Sequence, residues 1–330
     1  MNFHMKPYMF LFSTTLMLGI LITLTSNNWL FIWVGLELNL YSFIPLMLQN
    51  QNNQEKEAAI KYFLVQALAS IILLITTIPT QNTNWPILLL LALLMKLGMA
   101  PCHFWLPSIM VSLSWTLCWI LSTLQKIAPM IMLTQSFSHY SPLLMYLTST
   151  MSAMTGGFGA MNLTQLRSIL AFSSIGHMGW MTAAALISPS ISMFYFMSYI
   201  IIISATIQPL SLISLLMNTN HLLNKIAPKM LKLSLIMNIL SLGGLPPLFG
   251  FFPKLMVLTA LTNMNFILLP FILILSSTLN LFYYMKITSN MFFTQQTPSS
   301  LYYTYSLPMF LILSTIFSLS TAVSLTFMLL

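Results

Sequence analysis

Charged residues are scarce in this sequence. Only 4% of its 330 residues are charged, Asp is absent, and Asp and Glu together number 3. A soluble domain of ordinary composition carries about 25% charged residues, so a soluble fold is excluded. The remaining charges are mainly basic and give a formal net charge of +8. In so hydrophobic a chain we interpret this charge as a membrane-orientation signal, and we expect no nucleic-acid partner.

Cysteine is scarce as well. Cys102 and Cys118 are the two cysteines, and they are too far apart for a C-x-x-C pair. This argues against a disulfide scaffold and against an iron–sulfur cluster in this chain. The histidines show no metal-ligand spacing, so we also expect no metal site.

Long hydrophobic runs fill most of the chain. Hydrophobic residues make up 58% of it, and a membrane core of about 30 Å needs roughly 20 apolar residues in a helix. The sequence therefore predicts an all-α polytopic membrane protein with about 11 transmembrane helices and no separate soluble domain. The predicted spans are 7–25, 29–48, 57–79, 86–102, 109–135, 141–161, 166–187, 191–217, 233–262, 265–287 and 305–329.

The basic residues predict the orientation of these spans. With the N-terminus on the inner side, Lys and Arg outside the span centres all fall in inner segments, and the outer segments carry no charge. This distribution follows the positive-inside rule. An odd number of spans then places the C-terminus on the outer side.

Four ionisable residues lie inside predicted spans: Glu37, Lys96, Lys126 and Lys254. Each charge near the centre of a span costs about 2.5–3.5 kcal/mol on insertion scales. Each residue lies roughly 12–15 Å along its helix from the outer end, so we expect one polar file near the membrane midplane. Burial favours a neutral lysine and a nearby carboxylate favours a charged one. Lysines under both influences suit proton exchange, and the sequence predicts a proton-transfer axis.

Structural roles are the alternative for part of this set. A buried Glu37–Lys96 pair could serve only to fix helix packing, but it would leave Lys126 and Lys254 unexplained. His177, in the seventh predicted span, has a side chain whose ordinary pKa of about 6.5 suits a proton relay. It could equally be a histidine hydrogen-bonded to a neighbouring helix.

Two predicted spans carry helix breakers. In the fourth span Gly98 and Pro101 follow Lys96, and in the ninth the run Gly243–Pro247 precedes Lys254. Proline removes a backbone donor and clashes with the preceding turn. Broken helices persist in a membrane only where they are buried in protein or line a polar cavity.

The spacing of these breaks predicts internal repeats. They lie five spans apart, which gives the two units opposite topology. We therefore predict antiporter-like inverted repeats over 7–135 and 141–287, followed by an extra C-terminal helix over 305–329. Ordinary kinks, which are common in membrane helices, are the alternative.

Six motifs occur along the chain in the order of one known family. Each motif is modest alone, but together they run nearly from end to end. The chain resembles the chain 2 family of NADH–ubiquinone oxidoreductase, the mitochondrially encoded antiporter-like subunits of respiratory complex I. The resemblance is to the shortened animal form, which lacks the first three of the fourteen helices found in full-length bacterial relatives. The motifs are Trp33–Asn39, Glu57–Phe63, Lys96–Trp105, Gln125–Pro129, Ser173–Trp180 and Gly243–Lys254.

The resemblance implies a role for each buried charge. Glu37 would tune Lys96 by moving nearer or farther. Lys126 would be the central relay where the two repeats join, and Lys254 would pass the proton on at the far end.

The resemblance also implies the setting. The chain would be a non-redox subunit of proton-translocating NADH:ubiquinone reductase in the mitochondrial inner membrane, with its N-terminus in the matrix and its C-terminus in the intermembrane space. NADH, FMN, iron–sulfur clusters and ubiquinone would bind in other subunits, and no cofactor would bind here. The expected partners are the other membrane subunits, including antiporter-like chain 4 and the small chain 4L, with accessory subunits and lipids.

Two rival functions stay open on the sequence alone. A free-standing cation/proton antiporter would have the same fold, but the sequence shows no dedicated acidic cation site. A purely structural spacer would gain nothing from the costly buried charges.

Overall fold

The computed structural model describes residues 7–49, 52–77, 85–136, 140–219 and 229–293 of the chain. The predicted span over 305–329 lies outside the described residues. Within the described ranges the chain forms thirteen helices and no strand, which confirms the all-helical fold class.

The helices are numbered in chain order. Their bounds are α1 Pro7–Thr25, α2 Trp29–Met47, α3 Asn53–Thr77, α4 Trp85–Leu97, α5 Trp105–Ser112, α6 Trp115–Ser122, α7 Leu124–Gln135, α8 Pro142–Ala160, α9 Leu166–Ala185, α10 Pro189–Thr219, α11 Lys229–Gly243, α12 Phe251–Asn263 and α13 Leu268–Phe293.

Helix length and composition identify a multi-pass membrane protein. Within the described ranges, 6 segments are long and apolar enough to cross a membrane, and α4 and most of α11 are shorter apolar helices. Two further helices, α8 and α9, have 19 and 20 residues but are richer in Gly, Ser and Thr. These lengths do not confirm the predicted total of about eleven spans, which stays a prediction.

Both predicted breaks are confirmed. Regular helix stops after Leu97 and resumes at Trp105, and it stops after Gly243 and resumes at Phe251. Each break therefore separates two half-helices joined by irregular backbone, α4 and α5 at the first break and α11 and α12 at the second.

The predicted joint between the fourth and fifth spans is wrong. The predicted spans 86–102 and 109–135 leave the joint before residue 109, at Pro107–Ser108, but these residues lie in the first turn of α5, and the chain turns at Leu113–Ser114. Proline fits a first helical turn because the N–H groups there have no partner inside the helix. The fourth span consists of α4 and α5, and the fifth of α6 and α7.

The fifth span is also interrupted, whereas the sequence predicted one continuous helix over 109–135. Thr123 separates α6 from α7 with φ −118 and ψ −77. Its hydroxyl donates a 2.6 Å hydrogen bond to the Trp119 carbonyl, which also accepts the Thr123 backbone N–H at 3.0 Å. No Gly or Pro marks this position, so the breaker pattern could not predict it.

Two helix pairs pack backbone against backbone. A Cβ atom added to Gly35 would lie 2.7 Å from the carbonyl oxygen of Gly19, and one added to Gly156 would lie 2.5 Å from the Cα of Gly176. Small residues permit such close approach between membrane helices. The contacts hold α2 against α1 and α9 against α8, and both α2 and α9 carry predicted site residues.

One kinked helix is completed by its neighbour. Pro209 inside α10 leaves the carbonyl of Ala205 without an intrahelical donor. The side-chain amide of Asn238 in α11 donates to that carbonyl at 2.9 Å. The freed backbone group is thereby satisfied within the protein, as a membrane interior requires.

Candidate functional site

The predicted site residues are all buried. Their exposed fractions range from 2% for Lys126 to 9% for Glu37, with Lys96, His177 and Lys254 in between. They come from five different helices: α2, α4, α7, α9 and α12. None of the three lysines projects to the outer surface of the chain, and the axis itself stays a prediction.

Lys96 lies in the last turn of α4, which ends in a Schellman motif. Gly98 has φ +68, the Met99 N–H donates to the Leu94 carbonyl at 3.0 Å, and the Gly98 N–H donates to the Met95 carbonyl at 3.3 Å. Glycine adopts this left-handed conformation without strain. The motif places Lys96 at the negative end of a helix dipole, which favours a cation.

The end of α11 has the same geometry. Gly244 has φ +80, the Leu245 N–H donates to the Leu240 carbonyl at 3.5 Å, and the Gly244 N–H donates to the Ser241 carbonyl at 3.0 Å. The two breaks therefore share one backbone motif, although their sequences differ.

Lys254 reaches this end of α11 from the first turn of α12. Its ammonium donates a 2.7 Å hydrogen bond to the Gly243 carbonyl and lies 5.8 Å from the centre of the Trp180 ring. A Cβ atom at Gly244 would lie 2.9 Å from the ammonium nitrogen. Glycine at this position therefore provides both the left-handed turn and the space for the lysine.

Two side chains close the break after α4. The indole N–H of Trp105 donates to the Met95 carbonyl at 3.1 Å, and the amide of Gln66 donates to the Lys96 carbonyl at 3.4 Å. Carbonyls in the last turn of a helix have no intrahelical donor. These contacts satisfy them from α5 and α3.

A small cavity lies between the first two lysines of the predicted axis. It is lined by Lys96 and Lys126 and by the polar residues Tyr62, Gln66 and Gln125, and it leaves about 20 Å³ for the centres of water-sized molecules. A space of this size holds about one water molecule. The Tyr62 hydroxyl donates to the Gln125 side-chain oxygen at 3.2 Å, which fixes one wall of the cavity.

Glu37 is near Lys96 but not paired with it. Among the described residues no ion pair joins the two side chains, and Glu37 acts on Lys96 as a nearby charge. The alternative of a direct Glu–Lys pair that fixes packing therefore does not describe this arrangement.

Lys126 connects α7 to α9. It lies in the first turn after the interruption at Thr123, and its ammonium donates to the Ser174 hydroxyl at 3.1 Å. That hydroxyl donates in turn to the Ala171 carbonyl at 2.7 Å. Ser174 is thereby a fixed acceptor for the lysine.

His177 lies between the second and third lysines. Its Nδ1 atom is 3.0 Å from the Tyr195 hydroxyl, and its ring centroid is 5.2 Å from that of Tyr199. Both Lys126 and Lys254 act on it electrostatically. In the described part of the chain its Nε2 atom has no hydrogen-bond partner of ordinary geometry.

The structure thus forms two adjoining groups. The first contains Glu37, Lys96 and the cavity shared with Lys126. The second contains Lys126, His177 and Lys254. Amines, hydroxyls and water all accept or donate protons, and ordered water bridges polar groups almost as well as a direct contact. The arrangement therefore suits proton exchange.

Sequence reasoning missed several residues of these groups. A signal existed for Tyr62 and Gln66, which are four residues apart and so share one face of α3, at the point where its charged first turns give way to an apolar run. Gln125 gave a weaker one, because it adjoins Lys126. Nothing in the sequence distinguished Tyr195 from the chain's other tyrosines, since its role depends on where α10 meets α9.

Comparison of the chain with known proteins identifies the protein family that it matches. The family described as NADH:quinone oxidoreductase/Mrp antiporter, transmembrane, matches residues 26–83 and 78–280. The chain is 43% identical to NADH-ubiquinone oxidoreductase chain 2 of Lumbricus terrestris over 297 residues, which is 87% of this chain and 88% of that protein. It is 39% identical to the chain 2 protein of Eidolon helvum over 288 residues, 83% of this chain and 82% of that one.

A solved structure has the same fold. A chain of respiratory complex I from Thermus thermophilus, with bound aureothin, superposes with a TM-score of 0.78 at 22% identity, covering 96% of this chain and 78% of that one. At this identity the likeness concerns the fold, and the two chain 2 relatives carry the family assignment.

Proposed function

The chain belongs to the NADH-ubiquinone oxidoreductase chain 2 family, the proton-translocating, antiporter-like membrane subunits of respiratory complex I, and we propose that its buried charges form the proton-transfer axis. The axis consists of Glu37, Lys96, Lys126 and Lys254, with His177 as a relay between the last two.

The observation that carries this proposal is the cavity that Lys96 shares with Lys126. A proton moves between two amines only if they are close or if water bridges them. The cavity provides room for such a bridge at the join of the two groups. Beyond it, the Lys126 contact with Ser174 at 3.1 Å leads to the helix that carries His177.

Helix ends favour the charged form of two of the three lysines in an apolar interior. Lys96 lies in the last turn of α4, and the Lys254 ammonium reaches the last turn of α11, where the helix dipole stabilises a cation. Burial opposes the same charge. Two opposed influences of this kind allow each amine to take up and release a proton, and the unpaired Glu37 adjusts the balance at Lys96.

The matching ends of α4 and α11 support the inverted repeats predicted over 7–135 and 141–287. One half-helix in each repeat ends in a Schellman motif with a glycine of positive φ, Gly98 in α4 and Gly244 in α11. Inverted-repeat transporters place such discontinuous helices at corresponding positions of their two halves.

The family also supports a proposal about the cofactors, partner subunits and membrane of the complex. The chain would contribute no redox chemistry, and NADH, FMN, iron–sulfur clusters and ubiquinone would bind in other subunits of the complex. Its neighbours would include antiporter-like chain 4 and the small chain 4L, with accessory subunits and lipids. The membrane would be the mitochondrial inner membrane, with the N-terminus in the matrix and the C-terminus in the intermembrane space.

Replacement of Lys126 tests the axis. Lys126→Met keeps a long helix-forming side chain and removes the charge. It should leave assembly of the complex intact, since a costly buried group is gone, and should abolish proton translocation together with coupled quinone reduction. Lys126→Arg should also fail, because arginine does not release its proton.

The readouts are assembled complex content, NADH-driven quinone reduction and proton translocation in the same membranes. The exposed Lys286 provides a matched control, and Lys286→Met should retain all three. Near-normal pumping by assembled Lys126→Arg would rule out proton exchange at this residue. Loss of assembly in Lys126→Met alone would instead indicate a structural role.

A further inference from the structure

Tyr195 is held rigidly beside His177. It is only 1% exposed, and its hydroxyl lies 3.0 Å from His177 Nδ1. Its ring stacks on that of Trp180, with centroids 6.4 Å apart and planes 15° from parallel. Trp180 also lies under the Lys254 ammonium, 5.8 Å away. The Tyr195 hydroxyl is therefore positioned by the packing of its ring against Trp180, which also contacts Lys254.

The hydroxyl of Tyr195 has a hydrogen atom that needs an acceptor. A neutral imidazole has one donor and one acceptor nitrogen, and a buried donor without an acceptor forfeits a hydrogen bond. Within the described ranges His177 Nδ1 is the hydrogen-bond partner found for this hydroxyl. If Nδ1 carried the ring proton, both the hydroxyl hydrogen and the Nε2 lone pair would lack a described partner, whereas with the proton on Nε2 only that N–H would lack one. The contact therefore favours neutral His177 with its proton on Nε2.

His177 lies on α9 one turn before Trp180, whose ring lies under the Lys254 ammonium. The break between α11 and α12 is therefore close to this part of α9, since the Gly243 carbonyl at the end of α11 accepts the hydrogen bond from Lys254. Nε2 of His177 is buried and lacks a hydrogen bond of ordinary geometry to any described residue. A proton on this nitrogen is therefore not held by a described acceptor.

On the basis of the proton-transfer axis proposed above, we propose that Tyr195 is a positioning residue that keeps the proton of neutral His177 on Nε2, the ring nitrogen that has no described hydrogen-bond partner. Both nitrogens of the imidazolium form are donors. Proton uptake by His177 therefore requires the Tyr195 hydroxyl to rotate from donor to acceptor. The hydroxyl thereby couples the charge of His177 to its own orientation.

Removal of this one hydroxyl tests the role. Tyr195→Phe keeps the ring and its stacking on Trp180. Tyr283→Phe is the comparison variant, because Tyr283 is similarly buried, at 2% exposed, but its hydroxyl makes no hydrogen bond of ordinary geometry in the described part of the chain and interacts with Tyr284, not with His177. In assembled complex I, Tyr195→Phe should lower proton translocation about two- to tenfold, the effect of one neutral hydrogen bond, and should shift its pH profile. Tyr283→Phe should change neither.

A double variant separates positioning from packing. If Tyr195 acts through His177, then Tyr195→Phe combined with His177→Gln should pump no less than His177→Gln alone. Additive losses would overturn the proposal, as would a wild-type rate and pH profile in Tyr195→Phe. Failure of Tyr195→Phe to assemble, with normal assembly of Tyr283→Phe, would assign the hydroxyl a structural role and also overturn it.

These outcomes are distinct from failure of the axis. Wild-type pumping by His177→Gln would remove His177 from the axis, and the role of Tyr195 with it. An impaired His177→Gln beside an unaffected Tyr195→Phe would leave the axis intact and overturn only the positioning role.

Discussion

The ammonium of Lys254 lies 2.7 Å from the carbonyl oxygen of Gly243 and donates a hydrogen bond to it across the break between α11 and α12. Lys254 belongs to the first turn of α12, where the dipole of its own helix disfavours a cation. The side chain therefore turns back to the negative end of α11. Proton release at Lys254 would therefore also remove the positive charge from this contact between the two half-helices.

The glycine beside this contact should be essential. Gly244→Ala introduces a Cβ atom 2.9 Å from the Lys254 ammonium at a residue with φ +80, where a side chain costs roughly 1–2 kcal/mol. We expect displacement of Lys254 and a loss of proton translocation greater than the loss of assembled complex. Gly243→Ala is the control, because a Cβ atom added there would lie 3.4 Å from its nearest neighbour, a ring carbon of Tyr284, which is an ordinary contact distance. Equal proton translocation by Gly244→Ala and Gly243→Ala would contradict the importance of the space that Gly244 leaves for Lys254.

The indole of Trp105 should stabilise the first break. Trp105→Phe removes the indole donor to the Met95 carbonyl, which keeps only the 3.3 Å contact from the Gly98 N–H, and should destabilise the fold by about 0.5–1.5 kcal/mol, the worth of one neutral hydrogen bond. Trp119→Phe provides a comparison, because the Trp119 indole N–H has no partner among the described residues. Thermal inactivation of the assembled complex should be faster for Trp105→Phe than for Trp119→Phe. The opposite order would show that indole bulk matters more than this hydrogen bond.

Asn238 should matter only while Pro209 is present. Asn238→Leu leaves the Ala205 carbonyl, now paired at 2.9 Å, without a donor and should destabilise the fold by about 1–3 kcal/mol. Pro209→Ala restores a backbone N–H that can reach this carbonyl. The double variant should therefore regain much of the stability that Asn238→Leu loses. Additive losses in thermal inactivation experiments would refute this coupling.

Glu37 should affect activity more than assembly. Since no ion pair joins it to Lys96 in the described part of the chain, Glu37→Gln should leave complex content near normal. It removes the negative charge that acts on Lys96 and should slow proton translocation. Glu57→Gln, at a side chain that is 72% exposed, is the control and should be neutral in both measurements. Loss of assembled complex in Glu37→Gln would instead support the alternative in which Glu37 serves only helix packing.

The sequence predicted the breaks and the burial of the charges because both follow from local rules. Gly98 and Gly244 lie where a helix must end, and charge inside an apolar run must face the interior. The joint at Pro107–Ser108 was wrong because proline has two meanings, helix breaker and first-turn residue. The interruption at Thr123 has no such marker, because its hydroxyl-to-carbonyl bond is one that Thr182 also forms inside the continuous helix α9.

The partners of the charges were harder to predict, because they depend on which helices meet. Ser174 and Lys126 are 48 positions apart in the sequence, yet they share a hydrogen bond. Gln66 closes a helix end 30 positions away. The sequence shows that such polar residues lie within apolar spans, but their pairing comes only with the packing of α3, α4, α7 and α9.

The contact of Gly156 with Gly176 leaves no slack between α8 and α9, because even one added carbon at Gly156 would collide with the opposite backbone at 2.5 Å. The helix α9, which carries Ser174 and His177, is therefore closely coupled to α8, and a displacement of α9 would carry α8 with it. On the proposed axis, the separation of Ser174 from Lys126 would then change through α7 or through the α8–α9 pair as a whole.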